Sequence, residues 1–376
     1  MIGILAKSIN TYSNKLLIAE LDEQEKLYKH IEPNELVAYI SSNTKGYDYI
    51  EDFQTGNKIK RPKSLIWRGG GAGVMGANIH SQLICMGVPS THTPNGINIV
   101  SNKSLAHQMM SMAGVKNPKT RILPSLEGDK WERFYKKIGA GNKGRVIIKA
   151  IRGSQGKSVW YCPNIKKARE KVQEIKDAKI KGPFLFQQYI STEDDEGRVS
   201  DIRVVIVNGE IVVSMKRLSG EDSEDKLANI SQGGTGEKVT LSSEQEKTCL
   251  KAAESCDMLY SICGADIVTD KEGETYLLEL NSNIGLKAQE YTDVNICKKI
   301  IEFSEELQKN PVEMMKRNGH FAESAYALLF ENNNKELRYN NGIYSSTYSN
   351  DYTPSGSGIG KSLLNRIKKG LEKEKN

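Results

Sequence analysis

The chain has 376 residues, of which 38% are hydrophobic and 27% are charged, and its formal net charge is +6 at pH 7. This length predicts two or three domains, and the composition fits a soluble globular protein. No apolar run is long enough to cross a membrane, and the N-terminus, MIGILAKSIN, lacks a signal-peptide pattern. The six cysteines contain no CxxC pair, which argues against a zinc site or disulfides. We therefore expect a cytoplasmic protein.

The first hundred residues alternate short apolar runs with polar connections, which predicts a small α/β domain that begins with a short strand. The runs cover residues 16–21, 36–40 and 64–67. Residues 53–126 contain no acidic residue and nine basic ones. This stretch could face nucleic acid, a polyanionic substrate or nucleotide phosphates, or it could be a solvated basic surface. The basic residues are Lys58, Lys60, Arg61, Lys63, Arg68, Lys103, Lys116, Lys119 and Arg121.

The middle of the chain predicts further helices and strands. A helix over 101–114 precedes apolar runs at 145–150 and 184–190, and residues 199–215 form a strand pair that turns at Asn208 and Gly209. Helices are predicted over 244–259, with Cys249 and Cys256 on its core face, and over 295–307. After residue 330 the sequence is polar and of low complexity, and it ends in a basic amphipathic segment over 361–376.

Two carboxylates and an amide lie in the segment 264–286. Two β-leaning runs, 265–269 and 275–280, flank a polar turn, and pairing them brings Asp266 close to Glu279. Glu279 and Asn281 are two residues apart on a strand, so their side chains leave the same face. Oxygen ligands on one face suit Mg²⁺, which often binds substrate phosphates as well. An acidic turn next to a satisfied polar strand end is the alternative from this segment alone.

A glycine-rich segment at 68–76 contains GxGxxG directly after a predicted strand. A dinucleotide-binding fold needs an acidic residue about 20 positions later, and none occurs before Glu127. NAD binding is therefore rejected.

A second glycine-rich segment, 152–158, ends in GKS but has two residues between its glycines where a P-loop has four. It lies between a strand that contains Lys149 and the strand SVWYC. Such a hairpin loop can lay backbone N–H groups over phosphates and close on them, and Lys149 adds a positive charge at its base.

Taken together, these residues resemble a family. Lys103, Lys149 with GSQG (153–156), FQQYI (186–190), SDIR (200–203), NISQGG (229–234) and the 266/279/281 set occur in the order seen in ATP-grasp enzymes. They are most similar to the RimK-like branch, which contains ribosomal-protein glutamate ligases and related amino-acid ligases. The resemblance covers about residues 64–305. It implies an α/β (α+β) ATP-grasp fold with an N-terminal α/β pre-ATP-grasp domain and two ATP-clamping subdomains.

The resemblance also implies a domain division and site roles. The N-terminal domain would span 1–100, the central subdomain 101–190, the C-terminal subdomain 191–310 and an extension 311–376. ATP would be bound by phosphate contacts, a mobile lid, an adenine slot and a ribose or adenine contact, while the arginines would face the acyl phosphate or substrate. The ATP-binding residues would be Lys103, Lys149, Gly153, Ser154, Gln155, Gly156, Gln187, Gln188, Tyr189, Ile190, Asp201 and Asn229; the catalytic arginines Arg203 and Arg217; and the metal ligands Asp266, Glu279 and Asn281.

The implied reaction is ATP-dependent carboxylate–amine ligation that forms ADP through an acylphosphate. ATP and two Mg²⁺ ions, with Mn²⁺ as a substitute, would be the cofactors. The partners would be an amino acid, glutamate-like, and a carboxylate-bearing peptide, protein or small molecule, and a homo-oligomer is compatible with the sequence. Two departures from the family concern this site: Gln188 replaces the usual hinge Glu, and the NxSPG turn is Asn281-Ser-Asn-Ile-Gly285, without proline.

Three alternatives stay open at this point. A free amino-acid or dipeptide ligase would use the same fold. A nucleic-acid-binding protein would use the basic stretch 53–126 and the C-terminal segment, although recognised RNA modules interleave aromatic residues and the acidic set would have no purpose. A structural protein with an inactive ATP-grasp fold is opposed by the intact Lys149, Asp266, Glu279 and Asn281.

Overall fold

The protein is described by a computed structural model at residues 1–40, 49–141, 143–151, 158–219 and 234–310. These residues form a mixed α/β structure. No helix within these ranges is long and apolar enough to cross a membrane. Three predicted features lie outside them: the predicted lid residues Gly153, Ser154, Gln155 and Gly156, the predicted ATP contact Asn229, and the C-terminal extension.

The N-terminal part contains a three-stranded parallel sheet in the order β2-β1-β5. Strands β1 and β5 are buried on both faces: Ile2, Ile4 and Ile66 face one hydrophobic core, while Leu65 and Trp67 face another. This two-sided burial explains why β1 and β5 are continuous apolar runs. The elements are β1 (Ile2–Leu5), α1 (Tyr12–Glu23), β2 (Tyr28–Ile31), a 3-10 turn (Pro33–Glu35), β3 (Leu36–Tyr39), β4 (Tyr49–Asp52), β5 (Ser64–Trp67), α2 (Gly73–Cys85) and α3 (Pro94–Ser101), with β3 and β4 paired antiparallel.

A four-stranded antiparallel sheet in the order β6-β9-β7-β8 follows. One face packs on helices α5 and α6 through Val146, Ile148 and Phe186. Because side chains alternate along a strand, Lys149 and Gln187 lie on the other face. The elements are α4 (Lys103–Met112), β6 (Thr120–Leu123), α5 (Trp131–Gly139), β7 (Val146–Ala150), β8 (Val159–Cys162), α6 (Ile165–Asp177) and β9 (Phe184–Gln188).

A five-stranded antiparallel sheet in the order β12-β11-β10-β13-β14 completes the described structure. Val204 and Ile206 face the core under α4 and α7, while Val205 and Val207 face the core shared with α1 and α9. The sheet is thus covered on both faces. The elements are β10 (Ser200–Val207), β11 (Glu210–Leu218), β12 (Thr235–Lys238), α7 (Ser243–Ser255), β13 (Ile262–Thr269), β14 (Thr275–Asn281), a 3-10 turn (Leu286–Ala288), α8 (Gln289–Thr292) and α9 (Ile296–Lys309).

The predicted helices and strands within the described residues are present with shifted ends, and the helix predicted over 101–114 spans only Lys103–Met112. Asn208 and Gly209, with φ of 50° and 84°, form the turn between β10 and β11. The helix predicted to reach residue 259 ends at Ser255, because the next residues cap it and Asp257 takes a positive φ of 57°. The domain boundaries at residues 100, 190 and 310 stay predictions.

The basic stretch 53–126 does not present all its charge to solvent. Arg68 is buried, and Lys103 lies in the candidate site beside Glu279. Lys116 is bound to Glu274 across the neighbouring hairpin. Arg68 and Lys103 are thus used inside the protein and Lys116 is paired at its surface, which weakens the interpretation of the stretch as a nucleic-acid surface.

Candidate active site

The hairpin of β13 and β14 brings the predicted metal ligands together. Asp266 is directly paired with Glu279 in the antiparallel register, and Gly264 is paired with Asn281. The Asn281 side-chain amide donates a hydrogen bond to Glu279 Oε1 at 3.0 Å. The local pattern of the hairpin thus predicted this part of the site correctly.

Two arginines from the neighbouring strands bind the carboxylates. Arg203 on β10 is paired with Asp266 across the sheet and donates to both of its oxygens, with Nη2 at 2.8 Å from Oδ2. Arg217 on β11 donates to both oxygens of Asp201, at 2.6 and 2.5 Å, and its Nη2 also lies 3.2 Å from Asp266 Oδ1. A buried row of alternating charges therefore runs across three strands.

This row changes the ionisation of Asp266. Burial on its own would raise the pKa of the Asp266 carboxyl, but the guanidinium groups of Arg203 and Arg217 hold it below its ordinary value. Asp266 therefore stays charged at neutral pH.

Two lysines approach Glu279 from different elements. Lys103 is the first residue of α4, and its Nζ lies 3.6 Å from Glu279 Oε2. Burial opposes the ionisation of Glu279, but Lys103 keeps the pKa of this carboxyl below its usual value. Lys149, on β7, is only 7% exposed, and burial lowers the pKa of its ammonium group to about 8 even though Glu279 acts in the opposite direction. The site thus has three carboxylates, those of Asp201, Asp266 and Glu279. It has four cations, which are Lys103, Lys149, Arg203 and Arg217.

Asp201, which is predicted to lie beside the ribose or the adenine, is bound by an arginine. Both of its oxygens are engaged by Arg217, so in this geometry its main contact is the arginine. Cross-strand pairing of residues 201 and 217 produces this contact. The nucleotide contact of Asp201 stays a prediction.

The predicted adenine slot lies where β9 ends. Tyr189 is buried against Ile147 and Val199, and its ring lies 4.8 Å from that of Tyr161. The backbone N–H of Gln188 donates to Lys119 O at 2.8 Å, so it is not available to read a base. Ile190 is the next residue of this hinge, and its contact with adenine remains a prediction.

Gln187 contacts His107, a residue that was not predicted from the sequence to lie at the site. Its side-chain nitrogen lies 3.1 Å from His107 Nε2 and 3.1 Å from Thr120 Oγ1. Burial lowers the pKa of His107 to about 3, so this imidazole is neutral at pH 7. Lys103 and His107 are four residues apart on α4, and this i, i+4 spacing was the available signal that they share a helix face.

The donor set fits Mg²⁺ by its chemistry. Among the described ranges there is no cluster of three or more His, Cys, Asp or Glu side chains suited to a metal. The set of 266, 279 and 281 instead offers two carboxylates and an amide oxygen, which are hard ligands that leave room for phosphate oxygens. Asp266 Oδ1 is approached by both Arg203 and Arg217, whereas Asp266 Oδ2 accepts from Arg203 and has a further lone pair.

Comparison with known proteins identifies the family. The family model of the RimK-like ATP-grasp domain matches residues 100–303, which is more than half of the 376-residue chain. The chain belongs to the RimK-like ATP-grasp family. The family resemblance and the fold expected from the sequence are thereby confirmed, and the RimK-like protein is an ATP-dependent ligase.

Relatives and solved structures extend over most of the RimK-like chain. A "Probable alpha-L-glutamate ligase" from Halorhodospira halophila (strain DSM 244 / SL1) is 26% identical over 310 residues, which cover 82% of this chain and 96% of the relative. The macrocyclase MdnC from Microcystis aeruginosa MRC, bound with precursor peptide MdnA, is 14% identical, covers 81% of this chain and 99% of its own, and has a TM-score of 0.59.

A further solved structure has the same fold. The ATP-grasp ligase PsnB, complexed with a phosphomimetic variant of its minimal precursor, Mg and ADP, is 14% identical. The match covers 80% of this chain and 98% of that chain, with a TM-score of 0.55. At these identities the two structures show the likeness of fold alone.

Proposed function

We propose that the protein is a Mg²⁺-dependent, ADP-forming carboxylate–amine ligase that adds an amino acid, glutamate or a similar one, to a carboxylate of a peptide or protein. One observation carries this proposal: Lys103, Arg203 and Arg217 converge on the edge formed by Asp266 and Glu279. A site with this charge arrangement can hold an anionic nucleotide beside an anionic carboxylate.

The reaction requires two anions to meet. The γ-phosphoryl group of ATP is transferred to a carboxylate oxygen, which forms an acylphosphate and ADP. The amine then attacks the acyl carbon, the carbon–oxygen bond to phosphate breaks, and the amine loses a proton. Cationic groups lower the repulsion and stabilise the charge that develops on the transferred group.

The residues of the site would divide these tasks. Lys103 and Lys149 would hold the phosphates, and the lid residues 153–156 would cover them, although the lid lies outside the described ranges. Asp201 holds Arg217 through two hydrogen bonds, so that the guanidinium group is fixed toward Asp266. Asp266, Glu279 and Asn281 would hold Mg²⁺, which neutralises phosphate charge when bound. Two ions, or Mn²⁺ in their place, follow from the family resemblance.

The substrate assignment rests on the similar proteins. A related protein is named a probable α-L-glutamate ligase, and MdnC, with the same fold, is bound with a precursor peptide. We therefore propose a glutamate-like amino acid and a peptide or protein acceptor in the cytoplasm. A free amino-acid or dipeptide ligase is the alternative, and the choice between the two depends on which acceptor is consumed.

The experiment measures phosphate release and product mass with ATP, Mg²⁺ and each of the twenty amino acids, with and without peptide acceptors that end in glutamate. Hydroxylamine added to the reaction should trap the acylphosphate as a hydroxamate. Turnover with free amino acids alone would favour the alternative ligase. The proposal is wrong if no amino acid stimulates phosphate release.

Glu279→Gln tests the site itself. Because Glu279 would be a metal ligand and its Oε2 lies 3.6 Å from Lys103 Nζ, this change should lower kcat by about 100- to 1,000-fold. Glu274→Gln is the matched control, since Glu274 precedes the first residue of β14 on the exposed turn and pairs only with Lys116 among the described contacts. The two variants should have similar melting temperatures. Near wild-type turnover by Glu279→Gln would refute the assignment of the site.

A further inference from the structure

The glycine-rich run at 68–71, which NAD binding does not explain, lies against the turn that follows the candidate metal ligands. Gly70 approaches Asn283 so closely that an added Cβ would lie 2.1 Å from the Asn283 side-chain nitrogen. A side chain at position 70 would therefore displace the Asn283 side chain from its present position. The run is explained by close packing between the N-terminal part and the turn at 282–286.

Arg68 makes the central contact. Its Nη1 donates to Ile284 O at 2.9 Å, and its Nε donates to Asn14 Oδ1 at 2.9 Å. Asn14 is itself held through a hydrogen bond of 2.7 Å from its side-chain nitrogen to Ser8 O. Asn14 thus orients the guanidinium group through Nε, and the group binds the turn through Nη1.

Two more side chains bind the backbone of the same turn. His92 Nε2 lies 2.8 Å from Ser282 O, and Ser13 Oγ accepts from the Leu286 N–H at 3.0 Å. Burial lowers the pKa of His92 to about 3, so the neutral ring donates through Nε2. Within five residues, three backbone groups of the turn are therefore bound by side chains from the N-terminal hundred residues.

The cost of burying Arg68 indicates that this contact has a purpose beyond packing. Arg68 is 5% exposed, both hydrogen bonds given above are to neutral oxygens, and burial lowers the pKa of its guanidinium group to about 10. A buried cation bound only to neutral groups is expensive compared with an apolar side chain of the same size. The turn 282–286 also contains no proline, so its backbone lacks that local restraint.

We propose that Arg68 is a positioning residue of the ligase: it fixes the turn 282–286, and through the turn it holds Asn281 and Glu279 in register for the metal and the phosphates. This role rests on the proposed function, because it is defined by the ligation step. In the contacts given above, Arg68 touches none of the proposed metal ligands Asp266, Glu279 and Asn281. It acts through the backbone of the turn.

The experiment compares Arg68→Met, which keeps the side-chain length without its donors, with Ser13→Ala, a milder change at the edge of the same turn. Ser304→Ala is the matched control, because Ser304 Oγ lies 2.8 Å from Ser64 Oγ and so links β5 to α9 away from the turn. Hydrogen exchange of a peptide covering 281–290 is measured without ligands, and kcat and the Kd for Mg-ADP are measured on the same samples.

Arg68→Met should speed amide exchange at 282–287 about tenfold or more, and it should lower kcat on the order of 10- to 100-fold with the Kd for Mg-ADP within about twofold of wild type. Ser13→Ala should also speed amide exchange and lower kcat, each by a smaller factor. Ser304→Ala should change neither the exchange nor kcat. Unchanged exchange at 282–287 in both turn variants would overturn the proposal, as would faster exchange with unchanged kcat. An inactive wild-type protein would contradict the proposed function instead, and the exchange data would still decide whether Arg68 fixes the turn.

Discussion

Raising the pH from 7 to 9 should weaken the binding of Mg-ADP about tenfold, because the buried Lys149 loses its proton over this range. Burial lowers the pKa of Lys149 in the free protein to about 8. The charged fraction is then about 0.9 at pH 7 and about 0.1 at pH 9, and this tenfold difference corresponds to about 1.4 kcal/mol. Bound phosphates stabilise the ammonium group and raise its pKa, so the complex binds more protons than the free protein. Affinity is therefore full below pH 8 and is lost as the pH rises through that value.

Calorimetric titration with Mg-ADP at pH 7, 8 and 9 measures this effect. Repeating the titration at pH 8 in two buffers of different ionisation enthalpy should show uptake of about half a proton per nucleotide. Lys149→Arg is the matched variant, because arginine stays charged over the whole range and should make the Kd independent of pH between 7 and 9. The reasoning fails if wild-type affinity is flat over this range, or if Lys149→Arg keeps the same pH dependence.

Three further predictions concern the fold, the lid and the extension. Burial lowers the pKa of His80 to about 3, so the unfolded chain takes up a proton that the folded one does not, and stability falls as the pH drops below 6.5. Between pH 7 and 5 the wild type should lose about 2 kcal/mol more than His80→Gln in urea unfolding; equal losses would contradict this. Gly156→Val should slow turnover strongly with little change in Tm, because the lid needs backbone approach to phosphate; a lowered Tm with normal turnover would show that the loop is structural. Deletion of 331–376 should leave reaction with free amino acids unchanged and weaken only reaction with a protein or peptide acceptor, whereas equal loss of both would place the extension in the folded core.

Sequence patterns were sufficient to predict contacts between residues that are close together in the chain. Asp266 and Glu279 are thirteen positions apart in one hairpin, and its alternating runs and polar turn predict both the pairing and the face of Asn281. The turn at Asn208 and Gly209 is predicted for the same reason, since two residues with positive φ close a tight hairpin. Lys149 was placed on a strand before the glycine-rich loop, and it lies on β7.

The row of alternating charges across β11, β10 and β13 could be predicted only with knowledge of the strand order in the sheet. Arg203 meets Asp266 only because β10 is hydrogen-bonded to β13, and Asp201 meets Arg217 because β11 lies on the other side of β10. The family resemblance indicated Asp201, Arg203 and Arg217, and the hairpin pattern indicated Asp266, but the partner of each depends on the register of the sheet. His107 was missed because its role depends on Gln187, which is 80 residues away.

The sequence by itself therefore determined the elements, the local hairpin geometry and the residue types of the proposed phosphate and metal site, because these follow from spacing along one strand, helix or turn. Only the tertiary structure decided that Arg68 binds Ile284, 216 residues away, and that Gly70 makes room for Asn283. Such contacts are set by how separate sheets and helices bury their apolar faces against one another. Spacing along the chain carries no information about which backbone carbonyl a buried arginine will meet.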